Sequence, residues 1–195
     1  MGAWIGDNSI PWAKNIPGTV YAIDPSPQNC EFIRIVCDLN DVSNVKVFQT
    51  AISDREETLS TRESIDHCSF LNKGDTQIQA TSLDVLFQKG EITDVDFVHL
   101  DVEGMEFKVV NGMINIIDTY HPIIAFEQHL EIDNILEIIT LLKNRNYIVF
   151  MINEVLPGCR PDCRNFLALP DSDEFEKVIK YLTSYFGTPT LFTRF

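Results

Sequence analysis

Two carboxylates at the end of a short apolar run are the side chains best placed to do chemistry in this chain. Asp101 and Glu103 complete the stretch that begins at Phe97, and Gly104 follows them. Alternation and β-branched residues over 97–102 predict a strand, and a glycine permits the sharp turn from a strand into a helix. Carboxylates at the carboxyl end of such a strand lie where open α/β sheets bind their ligands. Any chemistry of this protein is therefore expected here.

A second polar pair follows another apolar run. Residues 123–126 are continuously apolar, which is typical of a buried strand, and they lead to Glu127 and His129. The two strands should be neighbours that end on one rim, which makes candidate general bases of Asp101, Glu103, Glu127 and His129. His129 has a suitable intrinsic pKa, although a loop histidine without a function fits equally well. Glu103 could instead cap the next helix, and His99, inside the strand, is interpreted as a packed side chain.

Metal sites are only weakly indicated. Asp101, Glu127 and His129 could together bind Mg²⁺, which prefers carboxylate oxygens, but this ligand set is not diagnostic and we expect no metal. The five cysteines are an odd number at irregular spacing, which does not indicate a disulfide framework. Cys159 and Cys163 could form a disulfide or contribute to a zinc site, yet no second Cys/His pair accompanies them. Reduced thiols are the preferred interpretation.

Composition limits the class of protein. At 195 residues the chain suits one domain, 1–195, with a substantial core. Its formal net charge of −14 argues against a nucleic-acid binder, because neutralising phosphates requires Lys and Arg. No apolar run has membrane-spanning length, and no basic-then-apolar leader begins the sequence. We expect a cytoplasmic protein without nucleic-acid or membrane partners, and the oligomeric state is left open.

Helices and strands alternate along the chain. Strands are predicted at 19–23, 45–52, 97–102, 123–126, 147–152 and 166–169. Helices are predicted at 26–40, 82–89, 106–120, 133–145 and 172–186, after an opening helix with Pro11 in its first turn and Asn8 or Ser9 as cap. Residues 58–80 fit either short strands or a surface excursion. The alternation predicts a mostly parallel sheet with helices on both faces, whereas the last two strands, too close for a helical crossover, should be antiparallel.

Helical spacing of apolar side chains predicts the face that each helix buries. For the helix at 26–40 these side chains are Phe32, Ile33, Val36 and Leu39. For the helix at 106–120 they are Val109, Val110, Met113, Ile116 and Ile117. For the helix at 172–186 they are Phe175, Val178, Ile179 and Leu182.

Six short motifs, in this order, resemble the signatures of the FkbM-type methyltransferases. They are Gly2-Ala3-x-x-Gly6-Asp7, Tyr21-Ala22-Ile23-Asp24-Pro25, Ala51-Ile52-Ser53-Asp54, Thr81-Ser82-Leu83-Asp84, His99-Leu100-Asp101-Val102-Glu103-Gly104-Met105-Glu106 and Pro122-Ile123-Ile124-Ala125-Phe126-Glu127. The resemblance runs from residue 2 to about residue 170. Each motif alone is weak, but their common order is fairly specific. The family comprises class I methyltransferases that use S-adenosylmethionine (SAM).

The resemblance implies a SAM site. Gly2 and Gly6 would form the loop that supports the methionine part of SAM, with Asp7 near it, because a backbone without Cβ atoms can pass close to a ligand. Asp24 would accept the ribose hydroxyls, although family members usually carry Glu there. Asp101 would lie beside the sulfonium or the methyl acceptor. Without the resemblance, the residues favour simpler interpretations: an N-terminal turn for the two glycines and a turn-initiating Asp-Pro for Asp24.

The fold that this resemblance implies is a Rossmann-like, mostly parallel sheet with helices on both faces and an antiparallel C-terminal hairpin. In the family a central strand precedes the glycine loop, and Met1 stands where that strand should end. We therefore expect the first strand to be missing and residues upstream of Met1 to exist in the native product.

The resemblance favours a SAM-dependent methyltransferase that methylates a hydroxyl of a small polar acceptor, such as a sugar or a secondary metabolite. Two alternatives come from other classes of protein. One is a catalytically inactive SAM-fold domain used for binding or assembly. The other is a dinucleotide-binding oxidoreductase, which is disfavoured because residues 2–6 lack the G-x-G-x-x-G spacing.

Overall fold

The alternation of helices and strands persists in the computed structural model, which describes residues 1–61, 76–129, 134–152, 163–184 and 192–195. The strands are β1 (Val20–Asp24), β2 (Val45–Gln49), β3 (Ala51–Ile52), β4 (Glu57–Thr61), β5 (Thr76–Thr81), β6 (Phe97–Leu100), β7 (Ile123–His129), β8 (Tyr147–Ile152), β9 (Cys163–Pro170) and β10 (Phe192–Arg194). The helices are α1 (Ser9–Asn15), α2 (Pro27–Leu39), α3 (Leu83–Gln88), α4 (Glu106–Asn111), α5 (Ile114–Tyr120), α6 (Ile135–Lys143) and α7 (Glu176–Ser184).

Parallel pairing dominates the first part of the chain and antiparallel pairing the last. β1 pairs with β2, β3 with β5 and β6 with β7, all in parallel. The largest sheet has the order β10-β8-β9-β7-β6, in which β9 is antiparallel to both of its neighbours. The predicted antiparallel relation of the last two expected strands is therefore confirmed. The short strand β10, which the sequence analysis missed, extends this sheet beyond β8.

Backbone hydrogen bonds of residues 1–3 join the carboxyl ends of β1 and β6. The amide of Ala3 donates to the carbonyl of Ile23 at 3.1 Å. The amide of Asp101 donates to the carbonyl of Met1 at 3.3 Å, and the Met1 ammonium donates to the carbonyl of His99 at 2.7 Å. The start of the glycine loop is thus tied to both strand ends.

Helices cover both faces of the strands. The largest apolar cluster lies under α3–α6 and includes Leu100 of β6 and Phe126 of β7. On the opposite face, α7 packs on Ile148 and Phe150 of β8. A third cluster joins α1 and α2 to Ala22 of β1. This burial accounts for why the apolar runs of the sequence form strands.

The buried face of α2 differs from the predicted one. Ile33 is fully buried as expected, but Phe32 and Leu39 are 46% and 77% exposed. The inward stripe is instead Cys30, Ile33 and Cys37, spaced at three and four residues. The prediction was wrong because free cysteines behave as small apolar core residues and were not counted among the apolar positions. Val178 of α7 is a similar error, since it is 44% exposed while Ile179 and Leu182 are buried.

Two predicted elements are interrupted. The strand expected at 45–52 breaks at Thr50 into β2 and β3. The helix expected at 106–120 breaks at Gly112 into α4 and α5, although its predicted apolar face is buried throughout. At this break the carbonyl of Gly112 accepts the amide of Asp84 at 2.9 Å, and the Asp84 carboxylate accepts the amides of Asn115 and Ile116 at 3.0 and 3.2 Å. A remote side chain thus caps α5 separately.

Other elements agree with the predictions to within a few residues. The expected strand at 97–102 ends earlier, at Leu100, so that Asp101 and Glu103 stand on the turn that follows it. β4 and β5 form an antiparallel pair within the region that the sequence left open. Residues 62–75, and with them part of that region, lie outside the described residues. Among the residues that the structure describes, no helix is long and apolar enough to span a bilayer.

Gly112 is expected to tolerate no side chain. A Cβ there would lie 2.2 Å from the carbonyl oxygen of Ser53 and 2.8 Å from Cα of Asp54, and neither is a flexible atom. Gly112→Ala should lower the free energy of unfolding by about 1–3 kcal/mol in urea denaturation, as overpacking does. Gly18→Ala is the matched control, since its Cβ would meet nothing within 4 Å. Equal midpoints for the two variants would contradict the close contact.

Candidate active site

One large cavity, of about 950 Å³, opens at the carboxyl ends of β1 and β6. Its wall consists of the glycine loop at residues 2–8, the turn from β1 into α2, the β2–β3 junction, part of β5 and the turn after β6. The volume lies near the upper end of the roughly 300–1,000 Å³ that small-molecule sites occupy. Ligand binding at the ends of parallel strands is the usual arrangement in α/β sheets.

The two glycines of the glycine loop lie against other parts of the chain. Gly2 has φ +68°, and a Cβ on it would lie 1.7 Å from the carbonyl oxygen of Asp101. Gly6 has φ +81°, and its Cβ would meet Ile10 and Ile33 at 3.2 Å. Gly2 therefore allows the loop to close against the turn after β6, whereas Gly6 packs on α1 and α2 and is not part of the cavity wall. Both positions need φ values that side chains disfavour.

A buried carboxylate holds the glycine loop in place. Asp24 is 5% exposed, and its Oδ2 accepts the amide of Trp4 at 2.8 Å. Its Oδ1 accepts the amide of Ser26 at 2.9 Å and Nδ2 of Asn29 at 3.0 Å. Trp4 adopts φ +44° and is 45% exposed on the cavity wall. Because a carboxylate has about four acceptor sites, Asp24 retains capacity for a ligand hydroxyl while it anchors the loop.

The turn after β6 is held by another carboxylate. Asp101 and Glu103 line the cavity, and Glu103 adopts φ +52°. Glu106, only 2% exposed, accepts the amide of Val102 on Oε1 at 2.9 Å and the amide of Gly104 on Oε2 at 3.0 Å. The N-cap position of α4 belongs to Met105 and carries no side-chain cap. The cap role considered for Glu103 is therefore not observed, and Glu106, which the sequence analysis did not single out, organises this turn.

His99, interpreted from the sequence as a packed side chain, also lines the cavity. Its half-buried ring meets Trp12 edge-on at 5.6 Å, and within the described part of the chain its imidazole has no hydrogen-bond partner. Burial lowers the pKa of His99, and the nearby carboxylates of Asp7 and Glu127 oppose that shift. The sequence did hold a signal for this placement, because residues two apart on a strand share a face and His99 therefore shares one with Asp101.

The other candidate residues divide between the cavity wall and the rim next to it. Asp7 and Asp24 stand on the wall with Asp101 and Glu103. Glu127 extends β7 beside the end of β6, where Leu100 is in register with Phe126, but it is not a wall residue. The backbone of His129 pairs with Cys163, and its side chain lies outside what the structure describes. Four of the sequence-derived carboxylates thus meet around one cavity.

Within the described ranges, neither a metal site nor a thiol belongs to the cavity wall. There, no group of three His, Cys, Asp or Glu side chains could hold a metal ion. Cys30 and Cys37 are unpaired, buried thiols, and burial, with Asp24 nearby, raises the pKa of Cys30 to about 11. The possible pairing of Cys159 with Cys163 falls on residues that are not described, because Cys159 lies within 153–162.

An α/β fold with carboxylates gathered around a cavity at the ends of its parallel strands defines a class of ligand-binding α/β domains. Within that class, the sequence match identifies one family. Residues 1–149 match the model of the methyltransferase FkbM domain, and the chain therefore belongs to the FkbM methyltransferase family. The family resemblance seen in the six motifs is confirmed. No curated protein matches the sequence.

Solved structures support the fold. Methyltransferase FkbM from Methylobacillus flagellatus KT is similar with a TM-score of 0.61 and 17% identity, over 85% of this chain and 41% of that one. A precorrin-6y C5,15-methyltransferase from Geobacter metallireducens GS-15 is similar with a TM-score of 0.51 and 15% identity, over 88% of this chain and 78% of that one. This chain thus spans less than half of the M. flagellatus protein. The predicted α/β methyltransferase fold class is confirmed.

Loss of the Asp24 carboxylate should release the glycine loop. In Asp24→Asn an amide group faces N–H donors, so that buried charge-assisted hydrogen bonds are lost and the free energy of unfolding should fall by at least about 2 kcal/mol. Asp7→Asn is the control, because Asp7 is exposed on the same cavity and its loss should cost less than about 0.5 kcal/mol. Urea denaturation of both variants measures the difference, and similar losses would contradict an anchoring role.

Proposed function

We propose that this chain is a SAM-dependent methyltransferase that transfers a methyl group to a hydroxyl of a small polar acceptor. The observation that carries the proposal is the cavity of about 950 Å³, bordered by the glycine loop and by carboxylates of two strand ends in a member of the FkbM family. A sugar or a secondary-metabolite hydroxyl is the proposed acceptor class, and the family resemblance alone suggests it. The cytoplasm remains the expected compartment.

The residues of the wall suit the donor molecule. SAM, when bound, supplies a methyl group activated by its sulfonium charge. Asp24 would accept a ribose hydroxyl with its remaining acceptor capacity. The glycine loop and Asp7 would hold the methionine part, since a carboxylate attracts its ammonium group. Asp101, on the opposite side of the loop, would lie next to the positive sulfonium.

Methyl transfer to a hydroxyl requires positioning and the removal of one proton. As the acceptor oxygen bonds to the methyl carbon, the carbon–sulfur bond breaks, S-adenosylhomocysteine (SAH) leaves, and the hydroxyl proton passes to a base. Asp101, Glu103 and His99 stand on the wall and are the candidate bases there. Burial lowers the pKa of His99, which favours the neutral imidazole, the form that can accept a proton. His129 remains a further candidate from the sequence.

Ligand binding separates the proposal from its alternatives. Calorimetric titration should show saturable binding of SAM and SAH and none of NAD(H). The two tryptophans provide a second readout, since Trp4 lies on the wall and Trp12 packs against Phe97 and His99. The emission of Trp12→Phe, in which Trp4 is the sole reporter, should change on addition of SAH. No SAM or SAH binding by the folded chain would refute the proposed function, whereas NAD(H) binding would favour an oxidoreductase.

Turnover should respond to Asp101 and His99 more than affinity does. Asp101→Asn should lower the rate of SAH formation from SAM, with a panel of small polyhydroxy acceptors, by about 100-fold or more, as removal of a catalytic proton acceptor does. Its affinity for SAH should stay within about threefold, less than 1 kcal/mol. Unchanged turnover would exclude Asp101.

His99→Gln tests whether His99 accepts the proton. If His99 is the base, the wild-type rate falls as the pH drops through the lowered pKa of His99, because the imidazole becomes protonated. In that case His99→Gln has lower turnover, and its remaining rate no longer falls over this pH range. An inactive domain would instead bind SAM and form no SAH with any acceptor.

A further inference from the structure

The turn after β6 has a shape that the chain does not favour by itself. Glu103 lies in the left-handed region with φ +52°, and Gly104 follows with φ +95°. A residue with a Cβ is strained in that region. Strained backbone near a ligand cavity persists where the surrounding structure over-determines it.

Glu106 supplies the constraint from beneath the turn. Each of its carboxylate oxygens accepts one amide, at 2.9 Å from Val102 and at 3.0 Å from Gly104. These two amides flank Glu103, and backbone N–H groups arranged around a left-handed residue form a concave site for an anion. In this protein the anion is the side chain of Glu106, which is 2% exposed and begins α4. Charge-assisted hydrogen bonds of this kind are the strong ones.

We propose that Glu106 is a positioning residue whose buried carboxylate holds the 101–104 turn in the conformation that presents Asp101 and Glu103 to the ligand. The proposal deepens the proposed function and rests on it for the identity of that ligand. Glu106 does not line the cavity, so it acts through the turn. The same carboxylate occupies the anion site formed by the amides of Val102 and Gly104, which are therefore not available to an anionic group of the ligand.

The chain contains a matched control for this arrangement. Asp84 also accepts two backbone amides, those of Asn115 and Ile116, at 3.0 and 3.2 Å. It caps α5 and stands outside the cavity wall. Asp84→Asn and Glu106→Gln therefore remove the same kind of interaction, one remote from the cavity and one beneath it. A merely structural role would give the two variants the same profile.

The test combines SAH calorimetry with amide hydrogen exchange. Glu106→Gln should weaken SAH binding by about tenfold or more and accelerate exchange at Val102 and Gly104. Asp84→Asn should accelerate exchange at Asn115 and Ile116 and leave SAH affinity unchanged. Glu106→Asp, which keeps the charge but shortens its reach, should weaken binding in the same direction and serves if the Gln variant does not fold.

A double-mutant cycle tests the link to the backbone. Glycine adopts a positive φ without strain, so Glu106→Gln should weaken SAH binding less in a Glu103→Gly background than in the wild type. Equal losses in both backgrounds, or wild-type SAH affinity in Glu106→Gln, would overturn the proposal. Failure of the wild type to bind SAH would refute the proposed function instead. Exchange at Val102 and Gly104 would still decide whether Glu106 holds the turn.

Discussion

The cavity depends on buried carboxylates that accept backbone amides. Both loops at its mouth contain a residue in the left-handed region, Trp4 on one side and Glu103 on the other. A left-handed residue with a Cβ costs about 1–2 kcal/mol, whereas a hydrogen bond to a charged group contributes about 1.5–3 kcal/mol. The bonds to Asp24 and to Glu106 therefore outweigh the strain of each loop. Asp24 and Glu106 hold the two loops through backbone amides, while Asp7, Asp101 and Glu103 on the same loops line the cavity.

Much of the fold follows from periodicity, because strands and helices with one buried face leave a regular apolar pattern. The strand at Tyr147–Ile152 has the predicted bounds, and α2 differs by a residue at its ends. The unpredicted break between α4 and α5 arose where long-range contacts decide. Gly112 interrupts a helix because its backbone lies against Ser53 and because Asp84 caps the second half. None of those partners is near it in the sequence, so no local pattern indicates the break.

The site was predictable to a similar degree. Asp101 and Glu103 lie at a strand end, and a strand end in an α/β sheet predicts a ligand site. His99 could have been found by the two-residue period of the same strand. Glu106 could not, because its partners are backbone amides, which every residue possesses and which leave no signature in the sequence. The identity of the methyl acceptor depends on the shape of the cavity that bound SAM would leave open, and no motif in the chain encodes that shape.

The thiol of Cys30 lies next to Asp24, behind the residues that line the cavity. It is completely buried, its Sγ donates to the carbonyl of Asp24 at 3.3 Å, and burial keeps it protonated at neutral pH, with a pKa of about 11. A thiol in this state does not react with electrophiles until the backbone around it opens and the thiolate can form. The rate at which Cys30 is modified therefore reports local opening of the packing between α2 and the strands β1 and β2.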